Sequence, residues 1–289
     1  MRKIPCLVFA CGTLWLTAAE SPDEATANTS ATVVQAAEQD NFTLMKKLVA
    51  AGKAIDVING EKRQAIHEAV RNGNSEMVSF LISKGALVNA AGNVGNTPLH
   101  FAAAANDVDM VKLLLKAGAL PNAGDAEGNQ PMHDVAKRDY VEMAKILIAG
   151  GAKINGQNGE GKTPLAVAID ANKPQMMKFL IGAGAALDLK DVHGEALLSN
   201  VIRSGKKEIA EQLLELGCDV KVKTKTGEQA IHLAAATGAT DLLKKLIAKG
   251  ADLNAKRKDG ETPYSLAEAA GFHDLATWIA TEVEKVPKK

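Results

Sequence analysis

The chain has 289 residues, with 34 basic side chains balanced by 34 acidic ones and aromatics at only 3%. A formal net charge of zero leaves no chain-wide field to hold nucleic acid, and the scarcity of aromatics removes a base-stacking surface. Three cysteines in a chain of this length exclude a disulfide-built scaffold.

The first element in chain order is a leader. Met1, Arg2 and Lys3 supply a charged start, an apolar stretch runs from Ile4 to Leu16, and Thr17, Ala18 and Ala19 are small. That layout predicts a secretory signal peptide over residues 1–19, cut between Ala19 and Glu20, and it is too short for a stable membrane span. Residues 20–30, rich in Ser, Thr, Ala and acids, are expected to form a flexible linker. Cys6 and Cys11 would leave with the leader, so Cys218 remains alone and the mature chain has no internal disulfide. The expected location is the periplasm of a bacterium, or outside the cell, with no membrane insertion once the leader is removed. A weak lipobox-like run ending at Cys11 offers lipid anchoring as the alternative.

From residue 31 to residue 286 the chain repeats. Gly52, Gly85, Gly118, Gly151, Gly184, Gly217 and Gly250 stand 33 residues apart, and Ala65, Pro98, Pro131, Pro164, Leu197, Ala230 and Pro263 keep the same register. So do Asp56, Asn89, Asn122, Asn155, Asp188, Lys221 and Asn254. An unbroken period of this size means one supersecondary unit copied along the chain, stacked so that neighbours share a core. Units are expected to start near residues 31, 61, 94, 127, 160, 193, 226 and 259, the first and last being atypical caps. Within a unit, Thr97 suits an N-cap and Pro98 the first helical position, and Leu99, Ala102 and Ala103 make a buried stripe. A turn follows at Asp40, Gly73, Asn106, Asp139, Asn172, Gly205, Gly238 and Gly271, residue types that tolerate a left-handed backbone. A second helix then ends at the spaced glycine.

The run Thr97-Pro98-Leu99-His100-Phe101-Ala102-Ala103, with Met110 to Leu115 and Gly118-Ala119 behind it, resembles the ankyrin repeat. The resemblance implies an all-α solenoid of helix-turn-helix units joined by β-hairpin fingers. It also implies a non-enzymatic monomer that binds another protein in a concave groove, made by the finger tips and the exposed side of each first helix. Mapped onto this chain, the groove is expected at Arg71; Val94, Asn96, Ala104 and Ala105; Glu127, Asn129, Lys137 and Arg138; Glu160, Lys162 and Asp170; and Arg203. Arg63 belongs to the same face. Asp134, polar where an apolar residue is usual, needs a partner and directs attention to units three to five.

Other motifs carry less. Residues 156–163 fit the Walker A pattern, which keeps a nucleotide-binding or hydrolytic reading open as the alternative, beside that of an effector acting on host proteins. No buried strand precedes the pattern, and Gly161 and Thr163 have equivalents in Gly95, Gly128 and Thr97, so the repeat itself accounts for the match. His67, His100, His133 and His232 are spaced too far apart for one metal and are expected to hydrogen-bond at their own helix starts. No catalytic set, metal site or cofactor is expected. Lys221, Lys223, Lys225, Lys256, Arg257 and Lys258 read as a solvated basic rim.

Overall fold

A computed structural model describes residues 31–285. The expected leader, its Ala19/Glu20 junction, Cys11, the linker at residues 20–30 and the final residue of the array lie outside the described residues. Sixteen helices follow in eight pairs: α1 Val33–Glu38 and α2 Phe42–Ala50; α3 Ala65–Arg71 and α4 Ser75–Ser83; α5 Pro98–Ala104 and α6 Val108–Lys116; α7 Pro131–Arg138 and α8 Val141–Ala149. The second half contains α9 Pro164–Asp170 and α10 Pro174–Gly182; α11 Leu197–Arg203 and α12 Lys207–Glu215; α13 Ala230–Ala236 and α14 Thr240–Ala248; α15 Pro263–Ala269 and α16 His273–Lys285. One pair corresponds to each expected unit.

Local chemistry sets these boundaries. Thr97 is the N-cap of α5 with an extended backbone, and Pro98 fills the first turn, where a missing N–H costs nothing. Each first helix stops at a left-handed residue, with φ between 52° at Asp40 and 81° at Gly271. The amide one residue further on, such as that of Asp107, reaches back to the Ala102 carbonyl at 3.1 Å. Each of the first seven second helices stops at its spaced glycine, with φ between 80° and 93°. Both turn positions behave as the residue pattern requires.

The core is one continuous layer. Leu81, Leu114, Leu147 and Leu180 recur in it, as does a ladder of buried Met77, Met110, Met143 and Met176. Burying each such side chain favours the stack by on the order of 1.5–3 kcal/mol before entropy is counted. Unbranched methionine adapts to the slightly different gap at each junction.

The fingers differ from the expected β-hairpins. Among the described residues there are no strands, and a single antiparallel bridge pairs Lys190 with Ala196. The reason lies in the tips. Asp125 Oδ1 accepts from the Glu127 and Asn129 amides at 2.9 and 2.8 Å, while the Asp125 amide donates to the Asn129 carbonyl at 2.9 Å. Asn59, Asn158 and Asp191 build the same closure. A loop that closes over four residues has no length left for paired strands. Fingers are instead joined sideways, with Ala126 N–H donating to the Val94 carbonyl at 3.0 Å and Gly159 N–H to that of Glu127 at 2.8 Å.

Candidate protein-binding groove

Between the fingers and first helices of units four and five lies a cavity of about 480 Å³. The fingers contribute Glu127, Asn129, Glu160 and Lys162, α7 contributes Lys137, and α9 contributes Asp170. Six of the thirteen groove residues expected from sequence therefore meet in one place. A smaller cavity of about 140 Å³, between units two and three, gathers Val94 and Asn96 with Arg63 and Phe101. Ala104, Ala105, Arg71, Arg138 and Arg203 line neither cavity.

Most charged groups of this face are committed to one another. Lys162 Nζ lies 3.0 Å from both Glu160 and Asp170, whose hydrogen bonds push its pKa up and keep it a cation. Arg138 donates to both the carbonyl and the carboxylate of Asp134 at 3.1 Å, so the partner that Asp134 needs is internal and does not itself call for a ligand. Arg203 spans Glu195 and Glu228 at 2.9 Å each. Arg71 grips Glu68 at 2.8 Å. Burial alone would raise the Glu68 carboxyl, but hydrogen bonding from Arg63, with the charges of Arg63 and Arg71, outweighs it and holds the group below its ordinary value. Lys137 is exposed and adds a positive charge to the rim of this cavity.

The Walker-like hairpin turns its amides inward. Asn158 N–H donates to the Lys162 carbonyl, Gly159 N–H to Glu127, and Gly161 N–H to the Asn158 carbonyl, while Glu160 and Lys162 amides donate to Asn158 Oδ1. Thr163 is buried and caps the Ala166 amide at 3.3 Å. With these donors used and Lys162 clamped by two carboxylates, the loop does not offer the phosphate cradle that a nucleotide requires.

The histidines are staples between units. In each, Nδ1 accepts the N-cap amide of its own helix, of Gln64, Thr97, Gln130 or Gln229, at 3.0–3.1 Å. Nε2 then donates to a carbonyl of the next finger: Ala90 from His67, Asn129 from His100, Lys162 from His133 and Ala255 from His232, at 2.9–3.0 Å. Burial pushes the pKa of His67, His133 and His232 down, which suits a neutral ring with one donor and one acceptor. Sequence spacing predicted the local bond; the bond to the next unit was not legible. Among the described residues no three His, Cys, Asp or Glu side chains are placed to hold a metal ion. Cys218 is buried, and desolvation pushes its thiol up to about 11, far from a reactive thiolate.

A larger depression, about 970 Å³, lies on the opposite side between α8 and α10, lined by Tyr140, Lys145, Lys178, Phe179 and Gly182 among others. It forms because Tyr140 stands where Asn74 and Asp107 cap the equivalent helices, while Asp139 Oδ1 reaches across to cap the Met176 amide at 2.7 Å. Its polar groups are largely spent locally: Lys145 is paired with Glu142, and Asp139 caps the Met176 amide. The finger-side cavity, with mixed charges held in fixed ion pairs, is the better surface for specific recognition.

Comparison with known proteins agrees with this architecture. The family of ankyrin repeats, described in three copies, matches residues 33–125, 118–191 and 198–288. Among solved structures the chain is similar to the ankyrin repeat domain of Bcl-3, described as a unique member of the IkappaB protein family. The two share 27% identity over 73% of this chain and 96% of that one, with a TM-score of 0.65. No curated protein matches.

Proposed function

Given that the chain belongs to the ankyrin repeat family, we propose that it is an exported scaffold that docks another protein in the groove of units three to five. Ankyrin repeats generally mediate protein–protein interaction and are typically non-catalytic. The observation that carries the reading is the cavity of about 480 Å³ in which Glu127, Asn129, Lys137, Glu160, Lys162 and Asp170 converge. Its fixed ion pairs present a preorganised charge pattern, which acts on specificity and association rate, while Val94 and Ala105 add apolar contact nearby. The protein acts as a monomer toward its partner. Export rests on the charged, apolar and small-residue order of residues 1–19 and places the scaffold in the periplasm or outside the cell. Among the described residues no helix is long and apolar enough to cross a membrane.

The test is partner capture by the full chain. Lys137→Glu combined with Ala105→Glu should abolish capture and leave the helical circular dichroism signal unchanged. Capture that survives the double substitution would remove this face from the account.

A further inference from the structure

We propose that the junction between units five and six is a hinge, about which α1–α10 and α11–α16 move as two bodies and change the shape of the groove between them. First helices of neighbouring units pack directly at α1–α3, α3–α5, α5–α7, α7–α9, α11–α13 and α13–α15, and second helices at α4–α6, α6–α8, α8–α10 and α12–α14. Between α9 and α11, and between α10 and α12, packing is marginal in both layers at once. No other junction among the described residues is loose in both.

The side chains explain the gap. One buried row of the first helices reads Ala37, Val70, Ala103, Ala136, Ile169, Ile202 and Ala235. Interdigitation needs a small residue opposite a large one. Ile169 stands in register with Ala136 on one side and Ile202 with Ala235 on the other, but between α9 and α11 isoleucine stands in register with isoleucine. Their bulk keeps the backbones from the close approach that alanines allow elsewhere. The methionine ladder also ends here, Met176 being followed in register by Ile209.

The staple is missing at this place too: Ala166 occupies the histidine position of α9, which sends no imidazole to the next finger, and at the following junction, where Ser199 stands, direct helix packing makes up for the loss. A residual cavity of about 20 Å³, lined by Thr163, Ala166 and Asn200 among others, is no larger than one water.

The remaining ties lie on two edges. Along the fingers and their bases, Val192 N–H donates to the Glu160 carbonyl at 3.1 Å, Gln157 Nε2 to that of Lys190 at 2.8 Å, and Asp219 N–H to Asp188 Oδ1 at 2.9 Å, the last a tie that the firmer junctions also have. On the helix side a single flexible side chain, Lys206, crosses the gap, its Nζ reaching the Ile169 carbonyl at 2.6 Å and those of Asp170 and Asn172 Oδ1 at 3.1 Å. A backbone-tied edge opposite one long strap is hinge geometry, with the finger edge as axis. Glu160, Lys162 and Asp170 ride on one body and Arg203 on the other, so a partner touching both would select one angle. The hinge itself stands on packing alone, whatever occupies the groove.

Paired spin labels on the full chain test it, with Cys6→Ser and Cys11→Ser so that only introduced cysteines react, Cys218 being buried. Ser79→Cys with Lys178→Cys spans three units inside the first body; Lys145→Cys with Lys244→Cys spans three units across the junction, and all four positions are exposed. The second distance distribution should be about twofold broader than the first, and Lys206→Ala should broaden it further while leaving the first unchanged. The first pair also reports that each variant is folded. Equal widths, or a Lys206→Ala effect that is absent or shared by both pairs, would overturn the hinge.

Discussion

From α3 to α9, each junction carries a histidine staple and has an alanine on at least one side of the row; between α9 and α11 the staple is absent and isoleucine stands in register with isoleucine. Both regions keep the same period and the same left-handed turns. The contrast separates two requirements that a repeat makes look like one. Turn residues shape a unit, whereas a few positions on its flanks decide how firmly it holds its neighbour. In a solenoid whose stability is a sum of unit and interface terms, one weak interface divides the whole.

The largest effect should come from replacing a glycine that sits between two fingers in the firmly coupled region. A Cβ at Gly128, where φ is +75°, would stand 2.5 Å from the Gly159 amide nitrogen. Gly128→Val should therefore cost more than about 3 kcal/mol, joining left-handed strain to a backbone clash. Gly205, where φ is +69°, has nothing within 4 Å of such a Cβ. Gly205→Val should cost only the strain, about 1–3 kcal/mol. Urea midpoints that move equally would show that finger contact adds nothing.

Removing a staple comes next. His100→Ala leaves the Thr97 amide and the Asn129 carbonyl without their partner and should cost about 2–3 kcal/mol. A loss under about 0.5 kcal/mol would mean that the staples do not distinguish the two regions.

The smallest effect is a pH dependence. His67, His133 and His232 have pKa values below the ordinary 6.5 in the folded chain. Below that value the unfolded chain takes up protons that the folded one resists, so stability is complete above it and falls as pH drops toward the lowered folded values. Glu68 and Asp191 add a second loss further into acid. For each, burial opposes the lowering: hydrogen bonds and charge from arginines outweigh it at Glu68, and hydrogen bonds from the Glu195 amide and Asn200 at Asp191. Denaturation midpoints should therefore fall from pH 7.5 to pH 5.5, and a midpoint that rises would contradict the neutral staples.

Sequence made the fold legible wherever a backbone angle restricts residue choice. Asp40, Asn106 and the spaced glycines announce φ values that few side chains accept. It was silent where a partner comes from another unit. His100 points 29 residues ahead to Asn129, and no local pattern names that carbonyl. Fingers were misread as β-hairpins because glycine spacing marks a reversal without saying that Asp125 closes it over four residues. For the groove, residue type and register located Glu127, Lys137 and Lys162 on one face. Whether Lys162 is free or clamped between Glu160 and Asp170 depends on rotamers. The junction at Ile169 and Ile202 was written in the sequence as bulk at one row, a signal that matters only once the row is known to face a neighbour.

The central claim is that a protein partner meets the finger side of units three to five. Photo-crosslinking residues placed singly at Glu127, Lys137, Lys112 and Lys145 in the full chain test it most directly, the latter two lying on the second helices α6 and α8. Positions 127 and 137 should crosslink one and the same protein, at a yield lowered when Arg138→Glu is added, and positions 112 and 145 should crosslink none of it. Crosslinks to that protein from 112 and 145, with 127 and 137 silent, would move the site to the opposite face and contradict the account.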